Sequence, residues 1–144
     1  STRLISILKE FQPEEIYNLA AQSFIPTAWD QPELTCDING IGVLRLLESI
    51  RIINPKIKLF QVSSREIFGI PNESPQTENT SINPLNPYAA AKAFARAIIN
   101  SYIEKYGIYV MPGEVFDQKG YLRINLSKPT NDFKYFLKKI KEEL

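Results

Sequence analysis

Three short apolar runs, from Glu14 to about Ala21, from Ile57 to Ser64 and from Ile108 to Met111, alternate with longer stretches whose apolar residues recur at spacings of three and four. That alternation constrains the fold more than any other feature of the chain. A run too short for a globular helix suits a strand buried in a parallel sheet, and each 3.6-period stretch suits the helix that carries the chain back to the next strand. The pattern predicts an α/β fold, a parallel sheet between helices in three layers, with ligands taken at the carboxyl ends of the strands.

The connecting segments can be read individually. Leu4, Ile5, Ile7, Leu8 and Phe11 predict a helix at the start of the sequence, and Pro26 and Pro32 mark a loop after the first strand. Ile41, Leu44, Leu47 or Leu46, Ile50 and Ile53 form one stripe of a helix over 38–53, which Asn54-Pro55 stops. A polar loop over 69–86 contains Pro71, Pro75 and Pro84 and reads as either a lid or a surface excursion. Pro87 suits the first position of a helix, the alanines that follow favour it, and Gly107 caps it after Lys105.

Past the third strand the chain changes character, which divides it into an α/β domain over 1–118 and an unassigned segment over 119–144. Residues 121–126 alternate like an exposed strand, and Phe133, Phe136, Leu137, Ile140 and Leu144 stripe a last helix. This segment has seven Lys or Arg against three Asp or Glu, read as the solvated face of a packed amphipathic helix.

Composition removes whole classes of function. With 17 Lys+Arg against 16 Asp+Glu the net charge is +1, so the basic footprint of a nucleic-acid binder is missing. No apolar run approaches the roughly 18 residues of a membrane span and no leader is visible, so a cytoplasmic protein with no membrane partner is expected. The sequence contains no histidine, which excludes Ser/His/Asp and Cys/His nucleophilic mechanisms and His-ligated metals. Cys36 is the single cysteine, so neither an internal disulfide nor a zinc site is expected, and its role is read as packing. Tyr, Lys, Asp and Glu remain as chemical groups.

Tyr88 and Lys92 are four residues apart, one helical turn, and so share a helix face. A phenol is a poor base at neutral pH unless a nearby positive charge stabilises its anion, and Lys92 can supply that charge. By itself the spacing also fits a snorkelling Lys beside a half-buried Tyr. Ser63-Ser64-Arg65-Glu66 falls at the expected carboxyl end of the second strand, where an alcohol can bond a substrate hydroxyl and a carboxylate can move a proton. Asn18-Leu19-Ala20-Ala21-Gln22-Ser23 ends the first strand, and its small residues allow a flat ligand to approach the backbone.

These blocks, together with Gly42-Val43-Leu44-Arg45-Leu46-Leu47-Glu48, Ile67-Phe68-Gly69 and Asn86-Pro87, resemble in order and spacing the extended short-chain dehydrogenase/reductases, and among them the GDP-mannose 4,6-dehydratase family. The resemblance runs from Ser1 to Gly113. It implies a lyase that uses NADP, with NAD as the alternative, as a recycled oxidant on the nucleotide sugar GDP-mannose, giving the 4-keto-6-deoxy sugar with no net redox change. On that model Tyr88 is the base at the 4-hydroxyl, Lys92 assists it and holds the nicotinamide ribose, Ser64 bonds the same hydroxyl and Glu66 assists the elimination across C5 and C6. Asn18, Ala20, Ala21, Gln22 and Ser63, with Tyr88 and Lys92, line the cofactor. The family also implies a homo-oligomer built on the helices near 39–53 and 87–105.

Two departures accompany the likeness. The family's opening βαβ unit, with its GxxGxxG loop for the pyrophosphate, has no counterpart here: the glycines are Gly40, Gly42, Gly69, Gly107, Gly113 and Gly120, none in that spacing. The expected fold is therefore a partial Rossmann-like one. After Val110, Asp117 and Gln118 stand where the family has Asn-His, Pro112 interrupts the strand, and Arg65 replaces a small residue beside Ser64. The alternatives to a dehydratase core are a non-catalytic remnant serving as an interaction or scaffold domain, and another sugar-nucleotide epimerase or reductase.

Overall fold

Strand β1 (Glu15–Asn18) and strand β2 (Lys58–Gln61) run parallel, pairing Glu15 with Lys58, Ile16 with Leu59, Tyr17 with Phe60 and Asn18 with Gln61. Both lie within the expected runs and are shorter than them. The structure, a computed structural model, describes residues 2–77 and 79–108. Between and around the strands come helices α1 (Thr2–Phe11), α2 (Ile25–Asp30), α3 (Pro32–Cys36), α4 (Gly42–Ile53) and α5 (Pro87–Tyr106), with a π-turn over Asp37–Ile41 and a 3₁₀ turn over Arg65–Phe68.

The two faces of the strand pair differ because side chains alternate along a strand. Ile16, Ile57 and Leu59 join a core with Leu8 of α1, Val43, Leu47 and Ile50 of α4 and Ala95 and Ile99 of α5. Helix α4 packs against both α1 and α5, so the three helices form one layer over this face. On the other face the Tyr17 and Phe60 rings meet at 5.8 Å, the Tyr17 hydroxyl donates to Glu15 Oε2 at 2.8 Å, and Lys58 pairs with Glu15 at 3.2 Å. The described residues thus supply two of the three expected layers.

The loop expected around Pro26 and Pro32 is corrected by the structure. Each proline sits in the first turn of a short helix, α2 and α3, where its missing N–H costs nothing and its fixed φ favours the helix. The helix expected over 38–53 begins earlier as well: α3, the π-turn and α4 follow one another without a break from Pro32 to Ile53. Cys36 is exposed rather than packed, because Thr35 takes the buried position in α3. Helix α5 matches its reading, with Asn86 as N-cap and Gly107 in the left-handed conformation after its last turn. Ile108 is buried in the core, while Tyr109–Met111, the 118/119 boundary, the strand over 121–126 and the helix over 133–144 lie outside the described residues.

One polar cluster ties α4 to α5. Glu48 receives Arg51 through Nε and Nη2, both at 2.9 Å, and the Tyr102 hydroxyl at 2.6 Å, while the Arg51 guanidinium stacks 5.4 Å from the Tyr106 ring centre. The Arg51 bonds, with that of Tyr102, pull the Glu48 carboxyl down to about 2, and burial, reinforced by Glu48, pushes the Tyr102 phenol up to about 12. A lowered acid stabilises the fold above its ordinary value of 4.5 and loses that contribution as pH falls through 2. A raised phenol contributes below 10.0 and loses it as pH rises through 12. Glu48→Gln is therefore expected to cost stability between these windows, by about 1 kcal/mol or less because the carboxylate is partly exposed. Thermal melts of both proteins from pH 2 to 8 check this: a gap in melting temperature that does not close below pH 4 contradicts it.

Candidate active site

The backbone beyond β2 organises the site. Val62 N–H donates to Asn18 O at 3.2 Å, extending the strand pairing by one bond, and Val62 O accepts from Lys92 Nζ at 2.9 Å and from Gln61 Nε2 at 3.1 Å. Lys92 of α5 is thereby anchored at the carboxyl ends of both strands, only 3% exposed, and burial pushes its ammonium below the ordinary lysine range. One turn earlier Tyr88 is 8% exposed, with its ring centre 5.9 Å from Lys92 Nζ.

The next residues make the second wall. Ser64 is buried and caps the 3₁₀ turn, its Oγ accepting from Glu66 N–H at 3.3 Å. Glu66 follows in that turn, which packs against α5. Its Oε1 lies 3.5 Å from Arg65 Nε and its Oε2 lies 3.5 Å from Asn86 Nδ2. The polar loop returns to this same turn, with Asn83 N–H donating to Ile67 O at 2.9 Å. Gly69 makes the return possible: it has φ +59°, and a Cβ there would stand 2.2 Å from Asn83 O. Ser64, Glu66, Tyr88 and Lys92 are thus brought together on two packed elements.

The residues expected to line a cofactor lie beside them. Asn18 donates from Nδ2 to Gln61 Oε1 at 2.7 Å and accepts from Ala20 N–H at 3.3 Å, which holds the chain as it leaves β1. Ala20, Ala21 and Ser63 are exposed. Gln22 is clasped by a residue absent from the sequence reading, Asn39 of the π-turn. Gln22 N–H donates to Asn39 Oδ1 at 2.9 Å, Asn39 Nδ2 donates to Gln22 O at 2.8 Å, and Thr35 Oγ1 adds a bond of 3.3 Å to Gln22 Oε1. Gly40 then lets the π-turn approach α5, since a Cβ there would sit 3.1 Å from the Phe94 ring. Asn39 had a legible signal: it shares a helical face with the apolar Val43, where an amide with no partner would be expensive.

Asn39→Ala leaves the Gln22 N–H and C=O without their partner, so it is expected to cost about 1–3 kcal/mol. Urea denaturation measures this, and a loss below about 0.5 kcal/mol contradicts a clasp of this kind.

Known structures share this architecture. The chain superposes on UDP-glucose 4-epimerase from Brucella ovis in complex with NAD with a TM-score of 0.72 and 25% identity, over 76% of this chain and 33% of that one. It superposes on RMD from Pseudomonas aeruginosa complexed with NADPH with a TM-score of 0.66 and 27% identity, over 74% of this chain and 38% of that one. The fold is the Rossmann-like fold of the epimerases and dehydratases, present in part. A family model for GDP-mannose 4,6 dehydratase matches residues 1–144, reaching past Gly113 where the likeness read from sequence blocks ends. A GDP-mannose 4,6-dehydratase of Vibrio cholerae is 45% identical over 121 residues, 83% of this chain and 32% of that protein. The chain belongs to the GDP-mannose 4,6-dehydratase family. It spans about a third of the length of the curated relatives it matches.

Proposed function

We propose that this chain carries the acid/base half of a GDP-mannose 4,6-dehydratase, a lyase using NADP, and that the reaction needs a dinucleotide cradle beyond the elements described above. The observation that carries the reading is the placement of Tyr88 and Lys92 one turn apart on α5, with Lys92 bonded at the carboxyl end of β2 and the helix packed against the turn that Ser64 caps and that holds Glu66. The exposed small residues Ala20, Ala21 and Ser63 and the buried ammonium of Lys92 suit the nicotinamide and ribose end of a dinucleotide. Bound there, the cofactor supplies a hydride acceptor that is regenerated within each turnover.

The chain's own groups do the rest. Tyr88 takes the proton of the 4-hydroxyl as the C4 carbonyl forms, Ser64 bonds that oxygen, and Lys92 supplies the positive charge that a phenolate needs. Glu66 then takes the proton at C5, now acidified by the C4 carbonyl. The C5–H electrons form the C5–C6 double bond, the C6–O bond breaks, and the proton leaves with that hydroxyl as water. At the end C6 receives the hydride and C5 a proton relayed from Tyr88, which leaves C4 as the carbonyl and the phenol ready to act again. A carboxylate at position 66 favours a dehydratase over a simple epimerase, which has no water to remove.

Among the described residues no helix is long and apolar enough to cross a membrane. Self-association through α4 and α5, where Ile52 and Phe94 are exposed, belongs to the same reading, and a folded monomer persisting on dilution in sedimentation would count against it. The test of function is incubation of the full chain with GDP-mannose and NADP and mass-spectrometric detection of the 4-keto-6-deoxy product. Product supports the reading, and a folded chain that binds GDP-mannose but forms none points to a binding module that has kept its site residues.

A further inference from the structure

We infer that Asn86 is a positioning residue that fixes the Glu66 carboxylate relative to Tyr88, with Arg65 gripping the other carboxylate oxygen. The inference rests on the dehydratase reading and deepens it. Asn86 has two jobs at once. Its Oδ1 accepts from Ala89 N–H at 2.8 Å and so caps the helix that carries Tyr88 and Lys92. An amide whose oxygen is committed to a backbone N–H must turn its NH₂ the other way, and here Nδ2 faces Glu66 Oε2. An N–H can only donate, so Glu66 Oε2 is the acceptor in this contact, and the amide fixes where that oxygen stands.

Arg65 reaches the other oxygen, Nε to Oε1 at 3.5 Å, and its side chain is 63% exposed, so it is the weaker of the two grips. Both contacts are long, as expected of catalytic hydrogen bonds that tighten only around substrate. The geometry explains why a polar loop of this length should end on Asn86. Gly69 and Asn83 bring the loop back onto the Glu66 turn, and the next residues deliver one amide that touches both the turn and the helix. The distance between the group acting at C4 and the group acting at C5 is thereby set through one side chain.

Capping alone does not need Asn. Serine caps about as well and aspartate does too, whereas alanine does not. Asn86→Ser therefore keeps the cap and removes the donor to Glu66, and thermal melts should place it near wild type while Asn86→Ala melts lower. In the full chain with GDP-mannose and NADP, Asn86→Ser is expected to keep the first hydride transfer within about twofold while slowing product by roughly 10- to 100-fold, the scale of a misplaced reacting group. The reduced-nicotinamide absorbance should then accumulate during turnover. Arg65→Met should show the same signature more weakly.

An equal slowing of hydride transfer and product in Asn86→Ser, or no slowing of either, overturns the assignment. A wild-type chain giving neither reduced cofactor nor product overturns the dehydratase reading itself, a different failure that is visible before any variant is made. A readout independent of turnover completes the test. In the cofactor-free chain, Glu66→Gln should shift the Asn86 side-chain amide resonances in ¹H–¹⁵N spectra and leave the Ala89 amide in place, and an unmoved Asn86 resonance overturns the contact.

Discussion

Replacing Lys92 by methionine is expected to lower turnover by about 10²- to 10⁴-fold, the scale of lost acid/base assistance, without lowering thermal stability. The two halves of this expectation have separate causes. Turnover falls because a phenol deprived of its cationic neighbour is a poor base, so Tyr88→Phe, which removes the hydroxyl itself, should lose activity on the same scale. Stability holds because the ammonium is costly where it sits. It is almost fully buried, and burial pushes it below the ordinary lysine value of 10.5.

The sign of its pH dependence follows from that shift. In the window between the lowered value and 10.5 the unfolded chain binds more protons than the folded one, so stability rises with pH there. The penalty is fully present below this window and gone above it. Methionine has similar length, and Val62 O keeps a bond from Gln61 Nε2 when Lys92 is lost. Lys92→Met should thus melt at or above wild type near neutral pH, with the gap narrowing as pH approaches 10.5. A variant that melts well below wild type at neutral pH would assign Lys92 a structural role instead.

How far the sequence already contained this site depends on which force placed each residue. Tyr88 and Lys92 were legible because helical spacing alone puts residues four apart on one face, and Pro87 with Gly107 marked the ends of that helix. Ser64 and Glu66 were legible because an apolar run ending in hydroxyl residues identifies the carboxyl end of a strand. The helices α2 and α3 were not, since Pro26 and Pro32 carry the same letter whether they break a helix or begin one, and only the neighbouring chain decides. The partner of Asn39, unlike its place on a helical face, was hidden for a related reason. The two bonds of Asn39 go to Gln22, seventeen positions away in sequence, and no local spacing encodes such a pairing. The role of Asn86 escaped likewise, because its cap is a local rule and its contact with Glu66 is a product of how the loop closes.

The site also depends on a residue that touches none of its groups. Leu47 is 0% exposed in the middle of α4, the helix that packs against both α1 and α5, and it belongs to the core that Leu59 of β2 and Ala95 of α5 share. Leu47→Ala removes buried methyl groups and leaves a cavity between elements fixed on every side, so a cost of about 2–5 kcal/mol is expected. Domains commonly have only about 5–15 kcal/mol of total stability, so this one change takes a large share of it. Ile52→Ala on the same helix, where the side chain is 53% exposed, should cost about 0.5 kcal/mol or less and serves as the comparison. Urea unfolding separates the two: the midpoint should fall for Leu47→Ala with the slope unchanged, because the surface exposed on unfolding is nearly the same. A cost near that of Ile52→Ala would mean that α4 is not the pillar between α1 and α5. If the full cost appears, loss of activity on warming should follow the folded fraction, since Leu47 supports the packing that carries Lys92 and Tyr88 without taking part in their chemistry.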